Sequence, residues 1–331
     1  MAIGKTPLTA VIVAAVSVLQ LSIPAAGKAA DADIVVGTGV SAGVHYNVGR
    51  AICRQIRRSV KGVSCEVLRM EAGDATEPLA ILSDLRNAAL ELGLVASDWH
   101  HHAVAGSGPL KFLDVKFDNL RSVMALHGEP LTLIARKDSG INGLDDLAGK
   151  RVNIGTPGSP ERVTMNMVMK AKGWTKKSFQ YVEELSPLEQ SLALCHNRVQ
   201  AIISTTAHPN PALARTLRLC DAKIVEVSGA AVDKLIGDNK FLSAAEVPGG
   251  LYEGVDAPVK TFGLTVTLIS SSDMEDDVIY TVTKAVFDDL DRFKRSHGAL
   301  GDLTPGRMKA DGLSAPLHPG ALRYFREKGM M

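Results

Sequence analysis

Residues 34–56 read IVVGTGVSAGVHYNVGRAICRQI. Ile34-Val35-Val36 is a short apolar run that ends in Gly37-Thr38-Gly39, and from Val48 to Ile56 the apolar residues return with helical spacing. The stretch therefore reads as strand, glycine turn and helix, the opening of an α/β unit. The same alternation continues outward. Residues 63–70 read as a strand, 79–87 as a helix and 90–96 as a strand leading to Asp98. Residues 120–137 form a long extended segment broken by Gly128 and Pro130, which suits a chain crossing between lobes. Residues 144–150 close a turn, 151–155 read as a strand, and 159–172 as a helix with Ser159 as N-cap and Pro160 at its first position. A helix at 189–197, strands at 199–204, 223–227 and 262–270, and a helix at 278–293 complete the pattern. Such alternation predicts α/β architecture with mostly parallel strands. Extended segments near Leu126 and Thr261 are the expected crossings, giving lobe one as 31–125 plus 262–331 and lobe two as 126–261.

Composition agrees with two packed lobes. The chain has 331 residues, 46% apolar and 22% charged, with prolines and glycines spread along it, which excludes disordered, collagen-like and low-complexity classes. Its 37 basic residues nearly balance 36 acidic ones, whereas a polyanion binder should be more basic. Residues 1–30 are different: they contain no acid, only Lys5 and Lys28 as bases, and an apolar run at 11–26 followed by Gly27, Ala29 and Ala30. This reads as an export signal cleaved after Ala29, Ala30 or Ala32. The run falls short of the roughly 20 residues that span a bilayer. No cysteine precedes Cys53, so a lipid-anchored N-terminal cysteine is excluded. In an oxidising compartment the four cysteines favour disulfides, and the spacings suggest Cys53 with Cys65 and Cys195 with Cys220 among the three possible pairings.

Two glycine-rich turns are candidate binding loops. The run from Gly37 to Gly49 lies between strand and helix, where free backbone N–H groups and the helix dipole attract an anion. Ser41, His45 and Tyr46 add side-chain donors and an aromatic wall. A dinucleotide fingerprint is disfavoured, because the spacing is loose and the next strand-borne acid is Glu66. The turn Gly155-Thr156-Pro157-Gly158-Ser159-Pro160-Glu161-Arg162 repeats the logic, with Arg162 as a bidentate clamp for a carboxylate. His100-His101-His102 suggests a metal, but consecutive helical residues diverge by about 100° and cannot easily converge on one ion. No G-x-S-x-G elbow, H-E-x-x-H or paired carboxylates are present. No metal, cofactor or catalytic set is expected.

Six blocks in series carry a family resemblance: IVVGTGVSAGVHYNVGRAIC, LGLVASDWHHHAVAG, IARKDSGINGLDDLAGKRVNIGTPGSPERVTM, HPNPAL, VPGGLYEG and APLHPGALRYFREKG. Together they resemble the TAXI family, the substrate receptors of tripartite ATP-independent periplasmic (TRAP) transporters. The resemblance implies a two-lobed type II periplasmic binding protein fold with hinged lobes and a central ligand cleft. It implies a periplasmic, monomeric receptor without catalysis, which passes a small carboxylate, a glutamate-like amino acid or a 2-oxo acid, to membrane permease subunits. The rival readings are an exported enzyme on a similar scaffold and a receptor feeding a sensor. Family motifs map onto Thr38, Ser41, His45 and Tyr46 in the first lobe and Thr156, Ser159 and Arg162 in the second, with Asp98 and His208 near the cleft. The cysteine pairing above also resembles one branch of the family. Departures from the family pattern occur at residues 71–78 (EAGDATEP), at Ala96, and at Pro160-Glu161. Asp74, Glu77 and Glu161 would there repel an anion or receive an ammonium group.

Overall fold

The computed structural model describes residues 1, 34–39, 43–69, 77–114 and 116–331. Residues 2–30 of the expected export signal, Ser41 and Asp74 lie outside them. The chain opens with β1 (Ile34–Thr38), α1 (Val44–Ser59), β2 (Cys65–Arg69), α2 (Glu77–Arg86) and β3 (Leu92–Ala96). Next come α3 (Ser97–Ala105) and β4 (Leu120–Arg136). A second run of the same form follows: β5 (Arg151–Asn153), α4 (Pro160–Lys172), β6 (Tyr181–Glu183), α5 (Pro187–Cys195) and β7 (Ala201–Thr205). After it lie α6 (Pro211–Leu219), β8 (Ala222–Val225), α7 (Ala230–Asp238), β9 (Ser243–Val247) and β10 (Val259–Ser271). The chain closes with α8 (Asp276–Phe287), α9 (Leu290–Arg295), α10 (Pro305–Met308) and α11 (Pro319–Glu327).

The strands join in the order β2-β1-β3-β10-β4-β7-β5-β6, with β8 also on β4 and β9 on β10. β1 lies between β2 and β3, and β5 between β6 and β7, all parallel. The connections therefore reverse direction beside β1 and again beside β5. The crevice beyond the carboxyl ends of the strands at such a reversal is where open α/β sheets hold ligands.

Expectation and structure differ in two strand features. Residues 120–137 are expected to break at Gly128 and Pro130, yet β4 is one strand of 17 residues. Its partners change there instead: Pro130 is opposite Gly263 of β10, and Leu131 is opposite Thr205 of β7. A proline without an N–H is tolerated where a ladder hands over. The sheet is also mixed rather than mostly parallel. β10 runs antiparallel to β3, β4 and β9, and β4 antiparallel to β7 and β8, because strands that cross and return must oppose their neighbours. Among helices, the expected 278–293 segment divides at Asp288 and Asp289. Asp288 accepts from the Tyr324 hydroxyl at 2.8 Å and pairs with Lys328 at 3.0 Å and with Lys284.

Core packing follows the amphipathic patterns. Val48, Ile52 and Ile56 of α1 are buried with Val282 and Val286 of α8 and with Tyr324 and Phe325 of α11, against Val36, Leu94 and Val266 of the sheet. A second cluster gathers Leu133, Val152, Met165, Val168 and Ile203 with Leu264. Each fully buried Leu, Ile or Val contributes roughly 2 kcal/mol over an exposed one. Cys53 is bonded to Cys65 and Cys195 to Cys220, the pairing the spacings suggest. None of the described helices is long and apolar enough to cross a membrane.

Candidate functional site

The carboxyl end of β1 delivers the chain to the start of α1, and the middle of β4 passes beside it. Thr38 is fully buried, and its hydroxyl lies 3.3 Å from the carbonyls of Gly39 and Leu68, so it braces the turn. His45, in the first turn of α1, reaches β4: its Nε2 is 3.0 Å from Glu129 Oε1. Burial disfavours the imidazolium, but the Glu129 charge and hydrogen bond outweigh it, and the His45 pKa is raised. Burial likewise opposes the Glu129 carboxylate, and His45 holds its pKa below the usual value. Tyr46 is half-buried, with the Arg50 guanidinium 5.9 Å from its ring centre.

His127 lies two residues before Glu129 on the same strand, so both side chains leave one face of β4. It is 1% exposed, and neither ring nitrogen has a hydrogen-bond partner. Burial, with the His45 charge beside it, lowers its pKa to about 3, leaving a neutral imidazole. The sequence reading misses both His127 and Glu129. The signal available was the triplet His127-Gly128-Glu129 within an extended run, which places two ligand-type side chains on one face.

Asp98 opens α3 beyond β3 and is 8% exposed. Its carboxylate accepts the Trp99 N–H at 2.8 Å. Burial first, and the neighbouring Glu129 charge to a lesser degree, push its pKa up to about 6. Glu77 belongs to the same corner, since a side chain at Gly39 would collide with its carboxylate. The α1 start is therefore surrounded by acids.

In the second lobe, Ser159 caps α4 as expected, accepting from the Arg162 N–H at 3.2 Å. Thr156 and Ser159 are half-buried in the loop after β5. Arg162 is turned inward: its guanidinium pairs with Glu184 and donates to the Ile154 carbonyl at 3.4 Å. A solute carboxylate would have to compete with Glu184 for it. His208 follows β7 and is held by Thr132 Oγ1 at 3.0 Å and Tyr252 OH at 2.5 Å. Burial lowers its pKa to about 4. His208 and His127 both line a small cleft of about 70 Å³, whose walls include Pro130 of β4, Pro248, and Asp302 and Arg307 from near the C-terminus. Thr38, His45, Tyr46, Asp98, Thr156, Ser159 and Arg162 do not line it.

In the histidine triplet of α3, His100 turns away from His101 and His102. His100 is buried between the Thr267 hydroxyl at 3.3 Å and the Ala315 N–H at 3.2 Å, His102 contacts Ser107 at 2.9 Å, and the His101 and His102 rings pack on Phe241. Ser97 binds the same segment, donating to the Phe241 carbonyl at 2.7 Å.

Comparisons with known proteins agree with this architecture. A TctC solute-binding protein from Polaromonas is 13% identical over 90% of this chain and 98% of that one, with a TM-score of 0.55. MatC from Rhodopseudomonas palustris, solved with bound malate, is 16% identical over 90% and 97% of the two chains, with a TM-score of 0.52. At such identities the likeness establishes the fold, that of two-lobed periplasmic binding proteins. The sequence itself matches the model of the NMT1-like family over residues 36–329. This chain belongs to the NMT1-like family.

Proposed function

We propose that this chain is a periplasmic solute receptor that binds a small carboxylate between two lobes and passes it, without a catalytic step, to the membrane subunits of a TRAP transporter. The observation that carries the reading is the duplicated βαβαβ unit, whose two chain reversals are linked by β4 and β10. Each reversal offers a helix start to an anion, α1 and α3 on one side and α4 on the other. The lobes would be 31–125 plus 262–331 and 126–261, with hinges near Leu126 and Thr261. Residues 1–30 would serve as the export signal, and the receptor would act as a monomer. The TAXI branch is the one that the six sequence blocks resemble.

The acidic corner favours a solute that carries an ammonium group as well as a carboxylate, so a glutamate-like amino acid fits better than a 2-oxo acid. Asp98 would receive the ammonium and the helix starts the carboxylate. Ser41, Tyr46, Thr156 and Ser159 would supply further polar contacts, and Arg162 a clamp if it exchanges Glu184 for the solute.

Thermal unfolding of the purified protein against L-glutamate, L-aspartate, 2-oxoglutarate and L-malate tests the reading. A binder present at 100 times its Kd stabilises by about 2.7 kcal/mol, about 5 °C for a chain of this size. At least one acid is expected to give such a shift and one-to-one calorimetric binding, with Asp98→Asn weakening the amino acids more than the oxo acid. No shift with any acid at millimolar concentration would overturn it.

A further inference from the structure

We propose that His45, His127 and Glu129 form a binding site for a divalent transition-metal ion of the zinc type at the crossing between the lobes. Among the described residues this trio is the one group of His, Cys, Asp and Glu side chains whose ligand atoms converge, all within 4.8 Å of one another. The donor set, two imidazoles and one carboxylate, is one that binds zinc with three protein ligands and a fourth position open. Neighbouring ligand atoms in a tetrahedral shell with bonds of about 2.0–2.1 Å lie about 3.3 Å apart. His45 Nε2 and Glu129 Oε1 are already at 3.0 Å. His127 closes the remaining gap by side-chain rotation.

The unpartnered His127 ring is the independent observation. A buried polar group without a hydrogen bond costs about 1–3 kcal/mol. His127 carries two such nitrogens at 1% exposure, set edge-on to the His45 ring at a centroid distance of 5.5 Å. An ion bonded to one of them removes the cost at that nitrogen. Of the three, His127 also lines the cleft between β4 and the C-terminal segment, whereas His45 and Glu129 do not. The location has a structural consequence. His45 belongs to α1, while His127 and Glu129 lie just before the point, between Pro130 and Leu131, where β4 changes from β10 to β7 as its partner. An ion there ties the first lobe to the crossing strand. The sequence pattern suggests no metal because His45 lies more than 80 residues from the other two ligands, and in the obvious histidine triplet of α3 His100 turns away from His101 and His102, which pack on Phe241.

The test is calorimetry and metal analysis on purified protein freed of metal by chelator, titrated with Zn²⁺ alone and then with Co²⁺, whose visible absorption reports tetrahedral coordination. One Zn²⁺ per chain is expected, with tetrahedral Co²⁺ bands. His127→Gln, which keeps volume and polarity, should raise the Kd by at least about 30-fold through loss of one of three ligands. Glu129→Gln should do the same, and circular dichroism should show both variants folded. Binding that these variants leave unchanged belongs to surface histidines and overturns the proposal, as does the absence of a stoichiometric site. No organic acid enters this titration. Its failure therefore leaves the receptor reading standing, and failure of the acid screen leaves the metal site standing.

Discussion

Asp98 is a carboxyl that its surroundings keep at a cost. Its pKa rises from the ordinary 3.8 to about 6 because burial disfavours the charge and Glu129 adds to the effect. The folded state thus binds the proton more tightly than the unfolded chain. The contribution of Asp98 to stability is therefore most favourable below pH 4, falls as pH rises from 3.8 to about 6, and stays lower above that. The full loss is about 3 kcal/mol at neutral pH. Asp98→Asn should therefore raise the unliganded melting temperature at pH 8, leave it nearly unchanged at pH 3.5, and flatten the slope between; a parallel profile would show that burial does not govern this group. Arg162, also disfavoured in its charged form by burial, is held by direct partners. Its guanidinium is spent on Glu184 and the Ile154 carbonyl, and Glu184 also has Lys176 at 2.6 Å. Arg162→Ala should cost about 1–3 kcal/mol of unliganded stability, since Lys176 keeps the glutamate paired. An unchanged melting curve would mean the guanidinium is free to meet solute. At this scale the Ser159 cap is legible in the sequence, because its partner is the Arg162 N–H three residues on. The contacts of His45, Arg162 and His127 are not, because their partners Glu129, Glu184 and His45 come from other elements.

Gly263 marks the place where two crossing strands come closest. A Cβ added there would lie 2.4 Å from Pro130 Cα and 2.5 Å from the Glu129 carbonyl oxygen, backbone atoms that no rotamer change can move. Gly263→Ala should destabilise by roughly 1–3 kcal/mol through forced separation of β10 from β4. Gly237, exposed near the end of α7 with nothing within 4 Å of its would-be Cβ, is the control. Gly237→Ala should stabilise by up to about 1 kcal/mol from helix propensity. Equal effects of the two substitutions in denaturant unfolding would contradict the close approach. Elements with local signals are legible in the sequence: α1 from its apolar spacing, α4 from Ser159-Pro160. β4 is misread as broken because Gly128 and Pro130 are local breakers, while the two ladders that hold it extended come from β10 and β7. The single helix expected at 278–293 fails for a related reason, since the residues that engage Asp288 include Tyr324 and Lys328, about 40 positions downstream.

The whole molecule is two α/β units joined by β4 and β10, and the α3 start touches the far unit where Ser97 donates to the Phe241 carbonyl at 2.7 Å. The alternation of strands and helices made this architecture readable, whereas its mixed strand directions depend on how the crossings pack, which periodicity does not encode. A solute that contacts both lobes binds the closed arrangement better than the open one and shifts the population by that difference in affinity. The most direct measurement is small-angle X-ray scattering of the purified protein, unliganded and saturated with the acid identified by calorimetry. The account predicts a smaller radius of gyration with solute, and a scattering profile unchanged at calorimetrically verified saturation would contradict it.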